Sequence, residues 1–339
     1  MRRGREQGLE RKLMIEIGGG RPVVGVDLGG TKIMAGVVAA DNRVLGRGKR
    51  PTPAKEGGPA ILKAMLECVD EALAGAGLTR GDLAAAGIGS PGPLDTGGGV
   101  ILHSANLNVR NYPIGPELSA ALGVPTRVDN DVSVGGYGEF ILGAGRGYSD
   151  ILAAFVGTGI GGCLIMDGKI VKGATNNSGE IGHVVVKVGG PRCGCGANGC
   201  MEALASKTAI ANRLVKASKK RGYPLGEKIQ RKGRLKSGDL AQAVRDKDPI
   251  AIREVERAAY YLGVGLGGLV NVIGPQVVII GGGVTEALGQ PFVDLIESSA
   301  RIQIITDPDR VIKFVPAALG DDAGILGASL YARDMIARG

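Results

Sequence analysis

The sequence predicts a layered α/β fold built from two similar lobes, and composition, strand pattern and an internal repeat support this fold class. The chain has 339 residues, a length typical of about two domains. Hydrophobic residues make up 44% but aromatic residues only 3%, with 60 glycines and no tryptophan. Such a core consists of small aliphatic side chains between tight turns, which favours α/β layers over an aromatic-rich β-sandwich. The glycines have no three-residue period with proline, which excludes a collagen-like chain.

One order of elements occurs twice in the chain: strand, glycine turn, strand, turn, strand. The strands of the two copies are 23–28, 33–40 and a run near Val44, then 151–156, 163–166 and 169–171. After the first copy, further patterns predict a helix at 61–74, a strand at 84–88, a short helix at 117–122 and a strand at 126–128. The duplication predicts two α/β lobes with a cleft between them, each lobe directing one glycine turn inward.

The positive charge of the chain is confined to two segments. The formal net charge is +8, but residues 1–12 carry +3 and residues 213–236 carry +9, so the remainder is −4. A basic protein invites a nucleic-acid partner, but a slightly acidic body argues against one. The segment 213–236 is therefore either solvated surface or an anion-attracting patch.

Neither an export signal nor a membrane span is predicted. The charged N-terminus leads only into the short apolar run 13–15, so we expect a cytoplasmic protein. Residues 258–285 lack charge over a length that would cross a bilayer. Their glycines, with Pro275 and Gln276, instead predict a core helix followed by a buried strand, and no membrane partner.

Three glycine-rich turns are candidate ligand sites, the first two for an anion. The first is Asp27–Lys32, where Gly29 and Gly30 let the backbone approach an anion, Thr31 adds a hydroxyl, and Asp27 can hold a metal or water. The second, 157–162, fits G-x-G-x-x-G, but residues 163–166 continue as a strand rather than a helix, which argues against a dinucleotide site. No Walker sequence is present, so a phosphate clamp of two hairpin turns remains. The third, Gly281–Gly283, follows a buried strand and fits either a plain turn or a close approach to a flat ligand such as adenine.

Asn130 and Asp131 follow the predicted strand 126–128. Side chains at such a strand end project towards the crevice of an open α/β sheet. A carboxylate there can accept a proton from a sugar hydroxyl, with the neighbouring amide fixing the direction of that hydroxyl. Asp131 could equally cap a helix that begins at Val132. The residues alone leave both interpretations open.

Three cysteines and a histidine predict a structural zinc site. His183 lies ten residues before Cys193, and Cys195 and Cys200 follow within the same glycine-rich knuckle. This set satisfies tetrahedral Cys₃His coordination, and full protein coordination makes the metal structural rather than catalytic. A disulfide would leave one thiol over. Glu180 and Glu202 flank the knuckle, either as carboxylates that orient the metal ligands or as ligands of substrate hydroxyls. Cys68 and Cys163 are predicted core residues.

Together these motifs resemble the ROK family (repressors, open reading frames and sugar kinases) of the actin and hexokinase-like superfamily. The resemblance runs from Val23 to the C-terminus. Its motifs are Asp27–Lys32, Gly87–Gly92, Asn106–Asn108, Asn130–Asp131, Gly157–Gly162, Gly179–His183, Cys193–Glu202 and Gly281–Gly283. It implies a two-lobed, ribonuclease H-like fold with an extension 1–22, a small lobe 23–130 joined by a C-terminal helix 323–339, and a large lobe 131–322 with the zinc knuckle 183–200.

The resemblance implies an ATP-dependent hexose kinase, with glucose the first expectation. Asp131 would be the general base towards the sugar 6-hydroxyl. The sugar would also be held by Ser90, Asn106, Asn130, Glu180, His183 and Glu202, with His183 also a zinc ligand. ATP and Mg²⁺ would be held by Asp27, Gly29, Gly30, Thr31, Lys32, Thr158, Gly159, Gly281, Gly282 and Gly283. This chemistry is phosphoryl transfer by positioning and charge neutralisation.

Substrate choice stays open within this resemblance. Asn176–Ser178 stand where bacterial glucokinases of the family usually have small residues, so fructose, mannose or an N-acetylhexosamine are alternatives, as is polyphosphate in place of ATP. A sugar-responsive repressor is the alternative from another class. Such proteins carry a winged helix-turn-helix domain before the first glycine turn, and only 26 residues precede Asp27 here. The family also suggests a homodimer or tetramer.

Overall fold

The computed structural model describes residues 20–305 and 312–338, apart from the side chains of Lys220, Arg221 and Arg338. The basic tail 1–12, the apolar run 13–15 and most of the expected extension 1–22 lie outside the described residues. Within them, no helix combines the length and the apolar character needed to cross a bilayer.

The chain forms two compact units. The first runs to Gly147 and includes Ala174–Asn177 and the residues from Asp321 on; the second comprises Tyr148–Gly173 and Ser178–Gly320. The first unit thus extends past residue 130, the lobe boundary that the family resemblance implied. The reason is that the helix beginning at Asp131 packs against the C-terminal helix of the same unit.

The strands of the first unit are β1 Val23–Leu28, β2 Lys32–Val38, β3 Val44–Pro51, β4 Ala86–Ser90, β5 Leu94–Asp95, β6 Val100–Ser104, β7 Val109–Tyr112 and β8 Thr126–Asn130. They form a five-stranded sheet of order β3-β2-β1-β4-β8 and a separate three-stranded sheet β5-β6-β7. In the larger sheet β1, β2 and β3 form an antiparallel meander, and β4 and β8 continue it in parallel. The helices of this unit are α1 Gly58–Ala76, α2 Ile114–Leu122, α3 Asp131–Leu142 and α11 Ala323–Arg338.

The C-terminal helix α11 lies directly on the sheet because glycines face it. A Cβ atom on Gly25 or Gly87 would overlap the backbone of α11 at Ile325 or Ala328. On the other face, α1 packs against β2 and β3. Buried aliphatic residues, with Cys68 among them, fill the layer between this helix and the sheet.

The second unit repeats the sheet of the first. The strands are β9 Ile151–Val156, β10 Ile160–Met166, β11 Lys169–Ile170, β12 Val277–Gly281 and β13 Lys313–Pro316. Their order in the sheet is β11-β10-β9-β12-β13, again an antiparallel meander continued by two parallel strands, which confirms the predicted duplication. The helices are α4 Met201–Ala205, α5 Lys207–Arg221, α6 Pro224–Lys232, α7 Ser237–Arg245, α8 Pro249–Ile273, α9 Gly283–Leu288 and α10 Gln290–Arg301.

The uncharged stretch 258–285 is the core helix and strand that the sequence predicts. It contains most of α8, then all of β12, whose five residues are fully buried. Gly274 has φ 62° and ends the helix in the left-handed conformation that glycine adopts readily. The mixed α/β class, with two sheets of the same order, agrees with the expected fold.

Candidate functional site

The residues predicted to act in the first unit lie at the carboxyl ends of three adjacent parallel strands. Asp27 of β1 is paired in register with Gly89 of β4, and Ser90 of β4 with Asn130 of β8. Open α/β sheets bind ligands at this edge. Ser90 itself is fully buried, so its role as a sugar ligand stays a prediction.

The first glycine turn joins β1 to β2 and is held in a defined shape. Gly29 N–H donates to Lys32 O at 3.0 Å, and the Thr52 hydroxyl donates to Gly29 O at 2.6 Å. Thr52 N–H also donates to Thr31 O at 3.1 Å. Thr52, which the sequence analysis did not single out, therefore fixes this turn from the end of β3.

Asp27 is a carboxylate with a raised pKa at the base of that turn. Burial raises its pKa, the nearby Asp131 raises it further, Lys32 opposes the shift and Asp321 adds to it, giving a pKa of about 6. Gly324 of α11 packs so closely that a Cβ atom there would lie 2.8 Å from Asp27 Cγ. A cation placed beside Asp27 would stabilise its charged form, so these residues fit a divalent metal or a phosphate-bound ion.

The structure assigns the cap of α3 to Asn130 and not to Asp131, while the role of Asp131 as a proton acceptor stays a prediction. Asn130 is the N-cap residue, and its Oδ1 accepts from Val132 N–H at 3.0 Å and Ser133 N–H at 3.1 Å. Asp131 is the first residue of the helix rather than its cap, and its Oδ1 accepts from Val132 N–H at 2.9 Å. Because Asn130 Oδ1 serves the cap, a hydroxyl bound at Asn130 would meet its Nδ2 donors.

Asn106 reaches the first glycine turn from another sheet. It lies in the turn between β6 and β7, and a Cβ atom on Gly30 would stand 3.3 Å from Asn106 Cβ. The small sheet β5-β6-β7 thus brings Asn106 beside the turn that carries Gly29 and Gly30. Asn106 is a sugar ligand predicted from the sequence, but the sheet that positions it is not predicted.

The second glycine turn lies between β9 and β10 in the second unit. Gly161 and Gly162 are part of strand β10, which confirms that this G-x-G-x-x-G does not open a helix. The start of α5 holds the turn: Lys207 N–H donates to Gly157 O at 3.0 Å, and the Thr208 hydroxyl donates to Thr158 O at 2.7 Å.

Glu202 links the cysteine knuckle to this turn. Its Oε2 accepts from Ile160 N–H at 2.9 Å, and its Oε1 lies 3.8 Å from Cys193 Sγ. A side chain at position 159 would displace the carboxylate of Glu202 from this place. No local pattern signals this contact, because 42 residues separate the two partners.

The third glycine run follows β12, next to the strand that leads into the second turn. Gly281 is paired in register with Phe155. Gly282 has φ 87°, and a Cβ atom there would come within 2.7 Å of the Val156 backbone. Gly283 begins α9. Glycine is therefore required at position 282 for backbone packing. The contact of this glycine run with adenine stays a prediction.

The four predicted metal ligands come together in the second unit. One ligand atom from each of His183, Cys193, Cys195 and Cys200 lies within 4.8 Å of the others. Cys193 Sγ is 3.6 Å from His183 Nδ1, and Cys195 Sγ is 3.7 Å from Cys200 Sγ. Tetrahedral zinc, with Zn–S near 2.3 Å, spaces its sulfur ligands by about 3.8 Å. The cysteines are free, so the geometry fits zinc rather than a disulfide.

Glu180 stands on the other side of the histidine ring. His183 Nε2 is 3.8 Å from Glu180 Oε2, while Nδ1 faces the cysteines. A carboxylate in that position orients a metal-bound imidazole. Glu180 is exposed and Glu202 is only partly buried, so both carboxylates also remain available to a polar ligand.

Comparison with known proteins gives a consistent result. The sequence profile of the ROK family matches residues 23–335. The chain is 33% identical to a glucokinase of Halalkalibacterium halodurans, over 90% of this chain and 92% of that protein. It is 25% identical to a putative xylose repressor of Caldicellulosiruptor, over 98% of this chain and 84% of the repressor.

Solved structures agree with the sequence relatives. A ROK hexokinase from Thermus thermophilus is 36% identical, with a TM-score of 0.77 over 93% of this chain and 99% of that one. A ROK family glucokinase from Streptomyces griseus, in complex with glucose and AMPPNP, is 31% identical, with a TM-score of 0.80 over 92% of this chain and 99% of that one. From the profile match over most of its length, the repeated sheet and the ordered site motifs, the chain belongs to the ROK family.

Proposed function

We propose that the protein is a sugar kinase that transfers the γ-phosphoryl group of ATP to the 6-hydroxyl of a hexose, with glucose as the first candidate. The observation that carries this proposal is the position of Asp131. Its carboxylate opens α3 at the ligand-binding edge of the sheet, while the neighbouring Asn130 takes over the capping role. The similarity to glucokinases, one of them in complex with glucose and AMPPNP, supports the same activity.

The proposed mechanism assigns the proton transfer to Asp131. Its carboxylate accepts the proton of the attacking hydroxyl, and the Nδ2 group of Asn130 directs that hydroxyl. Ser90 and Asn106 are the other sugar ligands that we propose in the first unit. Glu180, His183 and Glu202 are the proposed ligands contributed by the second unit. The remaining contribution is positioning, because phosphoryl transfer needs little covalent chemistry from the protein.

The nucleotide is proposed to bind through backbone N–H groups of the glycine turns at Gly29–Thr31 and Thr158–Gly159. Lys32 supplies positive charge near the first turn, although it also forms an ion pair with Asp321 at 2.9 Å. Mg²⁺ bound near Asp27 would neutralise phosphate charge. Zinc at the cysteine knuckle would stabilise the segment that runs from His183 to Glu202 at the start of α4. It would take no part in the transfer, because protein ligands would fill its coordination.

The decisive variant is Asp131→Asn, which preserves size and removes the base. We expect phosphorylation of glucose to fall by at least about 10²-fold, the lower end of general-base effects, while calorimetric binding of glucose remains measurable. Asp246→Asn, at an exposed carboxylate of the second unit, is the matched control and should retain activity. Near-normal turnover in Asp131→Asn would refute the assigned base.

Substrate and donor are tested together by a coupled assay. Glucose, fructose, mannose and N-acetylhexosamines are each offered with ATP and with polyphosphate, and the ranking by kcat/KM identifies the acceptor. A glucose preference with ATP is the expected result. The similarity to a xylose repressor favours a second candidate, sugar-responsive DNA binding. Saturable, sequence-specific DNA binding at physiological salt without sugar turnover would select that function instead.

A further inference from the structure

A cavity of about 350 Å³ lies between helices α5 and α8 of the second unit, and none of its lining residues belongs to the candidate site. The helix α5 begins the strongly basic segment whose role the proposed function leaves open. The charged residues that line the cavity are Arg213, Lys216, Arg253, Glu254 and Arg257.

The charges in this cavity do not balance. The lining holds four basic side chains and one carboxylate, a formal excess of +3. Glu254 is buried, and both of its oxygens are engaged: Oε2 accepts from Arg213 Nε, and Oε1 accepts from Arg253 Nη2 at 3.2 Å. The carboxylate is therefore shielded by its own partners, and the charge of Lys216 and Arg257 is not compensated by it.

Arg213 is held in place with part of its guanidinium unsatisfied. Its Nη1 donates to Leu204 O at 2.7 Å, but its buried Nη2 has no hydrogen-bond partner among the described residues. Burial lowers the pKa of Arg213, the bond to Glu254 raises it, and the charge of Arg257 lowers it again. A negatively charged group in the cavity would relieve this crowding of like charges.

The size and lining of the cavity restrict the type of anion. A volume of about 350 Å³ suits a small molecule rather than a macromolecular surface. No aromatic side chain lines it, so nothing there would stack on a base. Guanidinium groups match phosphate oxygens in geometry as well as in charge. We propose that this cavity is a second anion site, which binds the phosphate groups of a small polyphosphorylated molecule through Arg213, Lys216 and Arg257.

The test uses the full chain and inorganic tripolyphosphate as the probe, titrated calorimetrically in about 150 mM salt, where surface charge is screened beyond about 8 Å. The test variant is Lys216→Gln with Arg257→Gln, both at exposed positions. The matched control is Arg231→Gln with Lys232→Gln, which removes the same charge from exposed positions in the basic segment outside the cavity lining. Thermal unfolding verifies that both variants are folded.

We expect saturable binding that weakens at least ten-fold in the test variant and less than two-fold in the control. Repeating the titration with saturating AMPPNP separates this site from a nucleotide site, and the tripolyphosphate affinity should then persist. Equal weakening in both variants, absence of saturable binding, or loss of all binding in AMPPNP would overturn the proposal. The readout does not depend on kinase turnover, so failure of the proposed function would leave this test intact.

Discussion

The carboxylates of Asp27 and Asp131 lie close enough to repel each other when both are charged, and this repulsion lowers the stability of the folded protein. Each comes from a strand or helix end whose backbone position is fixed by the sheet, so neither can move far from the other. Burial raises the pKa of Asp27 most, and the charge of Asp131 raises it further. Sites that must bind cations or phosphate often hold such unfavourable charges in the free protein.

The raised pKa of Asp27 predicts a pH-dependent effect of Asp27→Asn. Asp27 has a pKa of about 6 in the folded chain and 3.8 as its ordinary value. Between these values the folded state holds a proton that the unfolded state has released, so the free energy of unfolding falls as pH rises to about 6. Asp27→Asn removes the charged form and should raise the free energy of unfolding at pH 8 by about 1–3 kcal/mol, and by less at pH 5.

Urea denaturation at the two pH values measures this difference. Glu56→Gln, at an exposed carboxylate, is the control and should show no such pH dependence. An equal effect of Asp27→Asn at pH 5 and pH 8 would contradict the assigned titration. The same variant should lower turnover, because it removes a proposed partner of the metal and phosphate.

At the scale of elements, the knuckle, helix α4 and the second glycine turn form one connected structure. Gly199 allows the tight knuckle, since a side chain there would overlap the Lys187 carbonyl. The chain then enters α4 directly after Cys200, and Glu202 in its first turn reaches Ile160 N–H. A displacement of Cys200 would therefore reach the second glycine turn through the single short helix α4.

Glu202 gives a test that separates positioning from sugar binding. Glu202→Ala leaves Ile160 N–H without its acceptor, a loss of about 1–3 kcal/mol for a buried donor, and should raise the KM for ATP about ten-fold. Glu202→Gln keeps an acceptor at that position and should leave the KM for ATP within about two-fold. Steady-state kinetics with varied ATP measure this contrast, and equal KM values in the two variants would argue against the positioning role.

Removal of the metal should destabilise the same region. Cys195 is exposed, so Cys195→Ser costs little packing and acts mainly on coordination. We expect about one zinc per chain in the unaltered protein by elemental analysis, near zero in Cys195→Ser, and a lower Tm. Cys163→Ala, at a buried thiol outside the cluster, is the control and should retain zinc. Full zinc content in Cys195→Ser would refute the ligand set.

The elements were predictable from sequence where hydrophobic runs and glycine turns coincide. Both meanders, the buried strand β12 and the Cys₃His cluster follow from local patterns. The sheet β5-β6-β7 could not be predicted, because β5 has only two residues and its partners expose much of their surface. Asn130 rather than Asp131 caps α3, a choice that depends on side-chain geometry at adjacent residues. The contacts of Thr52 and Thr208 depend on tertiary packing.

At the scale of the whole molecule, each unit has its own hydrophobic core, and the two clusters share no residue. The helix α11 packs on the sheet of the first unit, and its Arg333 is almost completely buried. This guanidinium donates to the carbonyl groups of Val38, Ala39 and Ala40 and to Asn42 Oδ1 at 2.7 Å. One side chain thus holds the turn between β2 and β3.

Arg333→Ala should therefore weaken the first unit selectively. Loss of these donors leaves backbone carbonyls unsatisfied, and we expect a decrease of about 2–4 kcal/mol in the free energy of unfolding. Hydrogen exchange should accelerate in β1, β2 and β3, with β9 and β10 of the second unit as the internal reference. Uniform acceleration in both units would contradict the separation of the cores.

The placement of α11 also affects the order in which the chain can fold during synthesis. The sheet of the first unit is translated early, but the helix that covers one of its faces is translated only after the second unit. The second unit is almost continuous along the chain, from Tyr148 to Gly320. Since domains fold as their residues leave the ribosome, we expect the second unit to complete its core first, while the early sheet still exposes the glycine-lined face that α11 covers.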